Sequence, residues 1–280
     1  MRISPTCAAC LYDKQKHKTD NEEYLKEVRN IIDNRKESDT SPYLVWLFGK
    51  VHEKYFGAPA DYSDIKKQYN DLVLSMEEAL REEIEQSKDP LAASLVMAGI
   101  GNYIDFGAMN HVDKDEFLSL FAEKEMREDD RKTYASFLAE CEKGRIFLLI
   151  CDNCGEIVLD RLFIEQLKKR FPHLSVKALV RGREVLNDAT PEDAHYTGLD
   201  KVCEVFDNGE AMAGTVYDLM PAESKKALDE ADIILAKGQG NYETLSGQGR
   251  HLFFSLLCKC DLFMGRFNVP RLTRMFVEEK

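Results

Sequence analysis

The 280-residue chain contains no window near the roughly 18 consecutive apolar residues that a membrane-crossing helix needs. Its opening, Met1-Arg2-Ile3-Ser4-Pro5-Thr6-Cys7, lacks the apolar stretch of a signal peptide, so a cytoplasmic protein is expected. No cluster of Lys and Arg stands out against a formal net charge of -12. Strong nucleic-acid binding therefore loses ground, because neutralising phosphates takes concentrated positive charge. A small anionic substrate stays open, since a few local cations outweigh a global balance. His17, His52, His111, His173, His195 and His251 fall in no H-x-H or H-E-x-x-H arrangement, which disfavours zinc hydrolases of that type. There is no G-x-S-x-G elbow and no Walker loop. Eight cysteines in a chain this long do not make a disulfide scaffold.

A hydrophobic content of 44% is ordinary for a protein with a real core. Residues 1 to about 140 read as helical. Apolar residues recur at helical spacing in 20–35, 43–56 and 61–86, the last with Ile65, Tyr69, Leu72, Val73, Met76, Leu80 and Ile84 on one stripe. Segment 90–100 is apolar and Ala-rich, and 114–142 holds one or two more helices. The pattern changes at Gly144. Short apolar runs at 145–151, 175–180, 201–206, 232–236 and 251–258 read as strands, with helical segments at 157–170, 191–198 and 222–230 between them. The expected fold class is α/β: an N-terminal helical bundle, residues 1–143, on a C-terminal three-layer α/β/α Rossmann-like domain, residues 144–280, with a mainly parallel sheet. The default ligand site is a cleft between them.

The most informative stretch is Leu148-Leu149-Ile150-Cys151-Asp152-Asn153-Cys154-Gly155-Glu156. An apolar run ends in a carboxylate and a carboxamide, at the sheet edge where α/β proteins bind ligands. After the second strand, Asp188 precedes Thr190-Pro191, a helix start. Either residue reads as an N-cap, or Asp188 faces Asp152 as a second carboxylate. Two carboxylates and an amide oxygen suit Mg²⁺ or Mn²⁺. After the fourth strand comes Lys237-Gly238-Gln239-Gly240-Asn241. The glycines permit close backbone approach, a helix starting near Asn241 offers free N–H groups to an anion, and Lys237 adds a point charge for phosphate. The plainer reading is a strand–helix turn with a surface lysine. Lys259, where the fifth strand leaves the sheet, is either a solvated edge residue or a second phosphate ligand. Gly99 and Gly101 interrupt an apolar helix at about 1 kcal/mol each. They either present Asn102 and Asp105 to the cleft or permit a tight helix crossing.

Together these segments resemble the DUF89 family, the ARMT1-like metal-dependent damage-control phosphatases. The resemblance rests on Asp152-Asn153-x-Gly155-Glu156 with Asp160, Arg181-Gly182 through Asn187-Asp188-Ala189-Thr190, Lys237 through Glu243, and Gly101-Asn102-x-x-Asp105. Cys7-x-x-Cys10 is similar to the short prokaryotic branch. The resemblance implies a divalent metal (Mg, Mn, Co or Ni) on Asp152, Asn153 and Asp188, and hydrolysis of phosphate esters of small metabolites, often sugar phosphates or damaged phospho-metabolites. Larger eukaryotic members carry Arg-Thr before the late lysine, where this chain has Leu256-Leu257-Cys258, so their substrate preferences do not transfer.

Metal-assisted phosphoryl transfer to water is the mechanism these residues suggest, with direct attack by Asp152 as the other route. Lys237, Gly238, Gly240, Asn241 and Lys259 would neutralise phosphate charge, and Asn102 and Asp105 would contact substrate from the helical side. Glu156 is a candidate supporting group or base. The pairs Cys7/Cys10 and Cys258/Cys260 could share a structural zinc or act as redox pairs, whereas Cys151 and Cys154 are poor ligands for a hard cation. Two other activities remain: an S-adenosylmethionine-dependent carboxyl methyltransferase, and a non-catalytic metabolite-binding module. The first would want a Gly-rich loop after the first strand and an acid after the second, where this chain has Asp152-Asn153 and Arg181.

Overall fold

A computed structural model describes residues 3–58, 60–105, 114–121 and 125–280. His111, and residues 122–124 within the helical stretch expected over 114–142, lie outside the described residues. The N-terminal half contains α1 (Pro5–Lys18), α2 (Glu22–Asp33), α3 (Ser41–Phe56), α4 (Ser63–Gln86), α5 (Pro90–Gly101), α6 (Lys114–Leu120) and α7 (Glu128–Lys143). Side-chain oxygens start four of them: Ser4, Asn21, Thr40 and Asp89 each accept a backbone N–H from the first turn. Among the described residues no helix is long and apolar enough to cross a membrane.

The second half alternates β1 (Ile146–Ile150), α8 (Glu156–Arg170), β2 (Ser175–Val180), α9 (Pro191–Thr197), β3 (Glu204–Asp207), α10 (Ala222–Glu230), β4 (Ile233–Lys237), α11 (Gly238–Leu245), β5 (Leu252–Leu257), α12 (Asp261–Phe267) and β6 (Arg274–Glu279). The strands lie in the order β3-β2-β1-β4-β5-β6. The first five are parallel, and β6 runs antiparallel to β5. The sixth strand is absent from the sequence reading. Only Phe276 in it is buried, so its pattern is that of an edge strand and not a continuous apolar run.

Alternation along the strands makes three layers. Phe147 and Leu149 of β1, with Ile233 and Leu235 of β4, pack under α4, α5, α7 and α8. Leu148 and Ile150, with Ile234 and Ala236, face α10, α11 and α12. Helices α1–α3 have their own core around Tyr24, Val28, Ile32, Leu44 and Phe48. The helices on either side of Gly144 thus share one core with the sheet. Helix α5 crosses α8 tightly: a Cβ on Gly101 would lie 2.8 Å from Leu159 Cδ1 and 3.0 Å from Glu156 Cα. The glycine therefore does permit a tight crossing, and it also ends α5 so that Asn102 enters the sheet edge.

Strand order reverses between β1 and β4, because β1 leads to β2 on one side and β4 lies on the other. The crevice outside their carboxyl ends is where such sheets bind ligands. Asp152 follows β1, Arg181 follows β2 and Gly238 follows β4, so all three meet there.

Candidate active site

Two loops zip together to build the site. Ala189 N–H donates to Asp152 O (2.8 Å), Arg181 N–H to Ala189 O (2.9 Å) and Cys154 N–H to Asn187 O (2.8 Å). Asn153 and Asp188 form an antiparallel bridge. This pairing gathers Asp152, Asn153 and Asp188 within one short stretch. Thr190 caps α9 in a capping box with Asp193, so the N-cap is Thr190 and Asp188 stays with the site. Helix α4 braces both loops from outside. Asn70 accepts from Gly155 N–H (2.6 Å) and donates to Asp193 (2.9 Å), and Lys66 pairs with Asp193 and Glu184 (2.7 Å each).

Arg181 sits between the carboxylates. Nη2 donates to Asp152 Oδ1 (2.8 Å), Nε to Asp188 Oδ2 (2.6 Å) and Nη1 to Asn241 Oδ1 (3.0 Å). It is 1% exposed, so these charges interact with little solvent screening. Burial pushes the Asp152 carboxyl well above the carboxylate range, the charge of Asp188 adds to that, and Arg181 opposes it. Burial likewise lifts Asp188 to about 6 against the pull of Arg181. Asp105 raises both further. Arg181 carries no assigned role in the sequence pattern. The available signal was its place, first after an apolar strand at the same sheet edge as Asp152.

Several expected phosphate contacts are turned inward. Lys237 Nζ donates to Glu156 Oε1 (2.7 Å), Asp160 Oδ1 (2.6 Å) and Ala98 O (3.0 Å). All three charged side chains are 0% exposed. An ammonium has three N–H groups, and these three acceptors use them. Lys237 therefore does not stand free as a point charge for phosphate. The strand alternation turns it under the sheet edge, toward α5 and α8. Burial alone would weaken its proton affinity, but Asp160 and Glu156 more than offset it and the lysine stays charged. Glu156 Oε2 accepts from Asn153 N–H (3.2 Å), Asn153 Nδ2 (3.1 Å) and Asn102 Nδ2 (3.1 Å), so this carboxylate is committed to holding neighbours and not placed as a base.

Asn241 is also saturated. Its Oδ1 accepts from Arg181 and Thr215, and its Nδ2 donates to Cys151 O and Lys237 O. Helix α11 begins at Gly238 and not near Asn241, because the chain turns at once after β4 with φ +79° at Gly238. A Cβ on Gly240 would run into Ala213 O, so that close approach is to protein and not to a ligand. Asn102 donates to Asp152 Oδ2 (3.0 Å) and accepts from Leu257 N–H (3.1 Å). Lys259 pairs with Asp105 (2.7 Å); its side chain is 0% exposed, so it is not a solvated edge lysine, and Asp105 keeps 13% exposure.

The residues fit a divalent cation. Asn153 Oδ1 is buried without a hydrogen-bond partner, next to Asp152 and Asp188. Five carboxyl groups (Asp105, Asp152, Glu156, Asp160, Asp188) lie among three cations (Arg181, Lys237, Lys259), and the raised proton affinity of Asp152, Asp160 and Asp188 marks a place where a further cation would be welcome. Among the described residues no three His, Cys, Asp or Glu side chains converge as a metal cluster. The candidate donors are two carboxylates and a carboxamide oxygen, a hard set of the kind that suits Mg²⁺ and Mn²⁺. The same observation gives no four-thiolate zinc site. Cys151 and Cys154 are buried thiols whose proton affinity burial raises, which suits packing and not ligation.

An open α/β sheet whose charged residues converge at the strand-order reversal has the layout of a ligand-binding α/β fold. The sequence profile of the damage-control phosphatase ARMT1-like domain matches residues 3–275, and the chain belongs to that family. A damage-control phosphatase of Archaeoglobus fulgidus is 32% identical over 272 residues, 93% of each chain. A damage-control phosphatase of Pyrococcus horikoshii is 29% identical over 222 residues, 78% of this chain and 74% of that one. An uncharacterised protein of Methanocaldococcus jannaschii is 29% identical over 280 residues, 93% and 90% of the two chains. The crystal structure of a DUF89 family protein from P. horikoshii matches the whole of both chains with a TM-score of 0.79, at 23% identity, which shows the fold. The α/β fold class and the family resemblance are both borne out, and the enzyme class is that of a phosphatase.

Proposed function

We propose that the protein is a divalent-metal-dependent phosphatase hydrolysing phosphate monoesters of small metabolites, sugar phosphates or damaged phospho-metabolites among them. Asp152, Asn153 and Asp188 would hold the metal, with Mg, Mn, Co and Ni all compatible with the donors. When bound, the ion would supply Lewis-acid charge stabilisation and a more acidic water.

The protein's own groups account for the rest. Arg181 holds Asp152 and Asp188 apart and in register. Lys259, itself fully buried and paired with Asp105, would meet a phosphate by exchanging that carboxylate partner for a phosphate oxygen. Asp105 is then left to accept from a substrate hydroxyl. The observation that carries the metal reading is the partnerless, buried Asn153 Oδ1 beside two carboxylates. A cytoplasmic setting belongs to the same proposal, since all eight cysteines are free thiols.

The test uses metal-stripped protein resupplied with each divalent ion. Phosphate release is followed from p-nitrophenyl phosphate and a panel of sugar phosphates, with Asp152→Ala and Asp188→Ala alongside. Metal-dependent turnover lost in both variants is expected. No turnover with any metal, from protein shown to be folded, would sink the proposal.

A further inference from the structure

We propose that Lys237 is a positioning residue: through Glu156 it sets the Asn153 carboxamide so that its oxygen, not its nitrogen, faces the metal site. The inference rests on the metal reading of Asp152, Asn153 and Asp188. It departs from the expectation that Lys237 touches phosphate.

An amide can present either end to a site, and its neighbours decide which. Asn153 Nδ2 has two acceptors, Asp152 Oδ2 at 2.8 Å and Glu156 Oε2 at 3.1 Å. Flipped, the amide would set its oxygen against those two carboxylates and offer N–H groups to a cation. Glu156 also accepts the Asn153 backbone N–H and Asn102 Nδ2, so one carboxylate oxygen gathers three donors. Asn102 is aligned by the same contact and donates in turn to Asp152 Oδ2.

Glu156 keeps that pose because Lys237 holds its other oxygen at 2.7 Å. Asp160 and the Ala98 carbonyl fix Lys237 from the far side. The cluster is fully buried and draws on α5, α8 and the end of β4, so it is built on rigid elements. Groups that orient a metal ligand through hydrogen bonds typically change metal affinity by about 10- to 100-fold when removed.

Lys237→Met and Glu156→Gln, each in the full chain, separate the roles. Mn²⁺ binding is measured by calorimetry, and inorganic phosphate binding is measured at saturating Mn²⁺. Mn²⁺ affinity reduced by about 10- to 100-fold in both variants, with phosphate affinity little changed, is the expected result. Weakened phosphate binding with intact Mn²⁺ affinity in Lys237→Met would make the lysine a phosphate ligand and overturn the proposal. Glu156→Gln leaves Lys237 paired with Asp160 and decides alone if Lys237→Met does not fold. Unchanged Mn²⁺ affinity in Glu156→Gln overturns the proposal. Wild-type protein that binds no divalent ion would instead remove the metal reading itself.

Discussion

A Cβ on Gly238 would fall on the Asp152 carboxylate. The glycine after β4 thus leaves the space in which the Asp152 carboxylate, the first of the proposed metal ligands, lies, and its φ of +79° is one that L side chains resist. Gly238→Ala should cost more than the roughly 1–2 kcal/mol of left-handed strain alone. It should also displace Asp152 and weaken Mn²⁺ binding by about tenfold or more. Urea unfolding and calorimetry read the two effects. Wild-type Mn²⁺ affinity in the variant would show that the carboxylate tolerates displacement.

Arg181 is the fixed counter-charge of the two carboxylates. Removing one partner from a buried ion pair typically costs about 3–5 kcal/mol, because the charge left behind is uncompensated. Arg181→Met should therefore be strongly destabilised without metal. Added Mn²⁺ supplies the missing positive charge, so it should raise the melting temperature of the variant more than that of the wild type. Equal shifts would mean that Arg181 and the cation do not answer to the same carboxylates.

The legible part of this site is the part written in local pattern. The apolar run Phe147–Ile150 ending in Asp152-Asn153 marks a buried strand and its ligand edge, and Thr190-Pro191 marks the helix that follows Asp188. Partners brought by other elements are not written there. Lys237 reads as a strand-end lysine, and only the docking of α5 and α8 shows that its three N–H groups are taken. Arg181 reads as a loop arginine until the antiparallel bridge folds Asp188 back beside Asp152. Strand β6 carries one buried residue and only three apolar residues in a row between charged ones, too short a signal for periodicity to assign.

Asn70 tests whether α4 braces the site. Its amide oxygen accepts from Gly155 N–H and its nitrogen donates to Asp193, linking the loop that carries Asn153 to the start of α9. Asn70→Ala leaves the buried Gly155 N–H without its acceptor, at about 1–3 kcal/mol, while Asp193 keeps Lys66 and Thr190. Stability should fall by that order, and metal affinity should fall with it. Rescue of catalytic rate by excess metal is expected, because no group that meets substrate is lost. A variant destabilised yet unaltered in Mn²⁺ affinity would confine Asn70 to the fold.

Glu243 predicts the pH dependence of stability. It lies on α11, hydrogen-bonds with Ser41 at the start of α3 and is held near Lys14 and Cys7 of α1. Burial lifts its carboxyl from 4.5 to about 7, against the opposing effects of Ser41 and Lys14. The folded protein therefore keeps a proton that the unfolded chain releases between those values. This contribution is complete below the unfolded value and is lost as pH rises through about 7, so stability declines with pH in that window. Asp160, lifted to about 7 by burial, acts in the same direction. The melting temperature of metal-free protein should fall as pH rises from 4.5 to about 7. Glu243→Gln carries no proton to lose and should show a shallower decline, with the remaining slope belonging to Asp160 and the site carboxylates. An identical slope in the variant would show that Glu243 is ionised in the folded protein across the whole range.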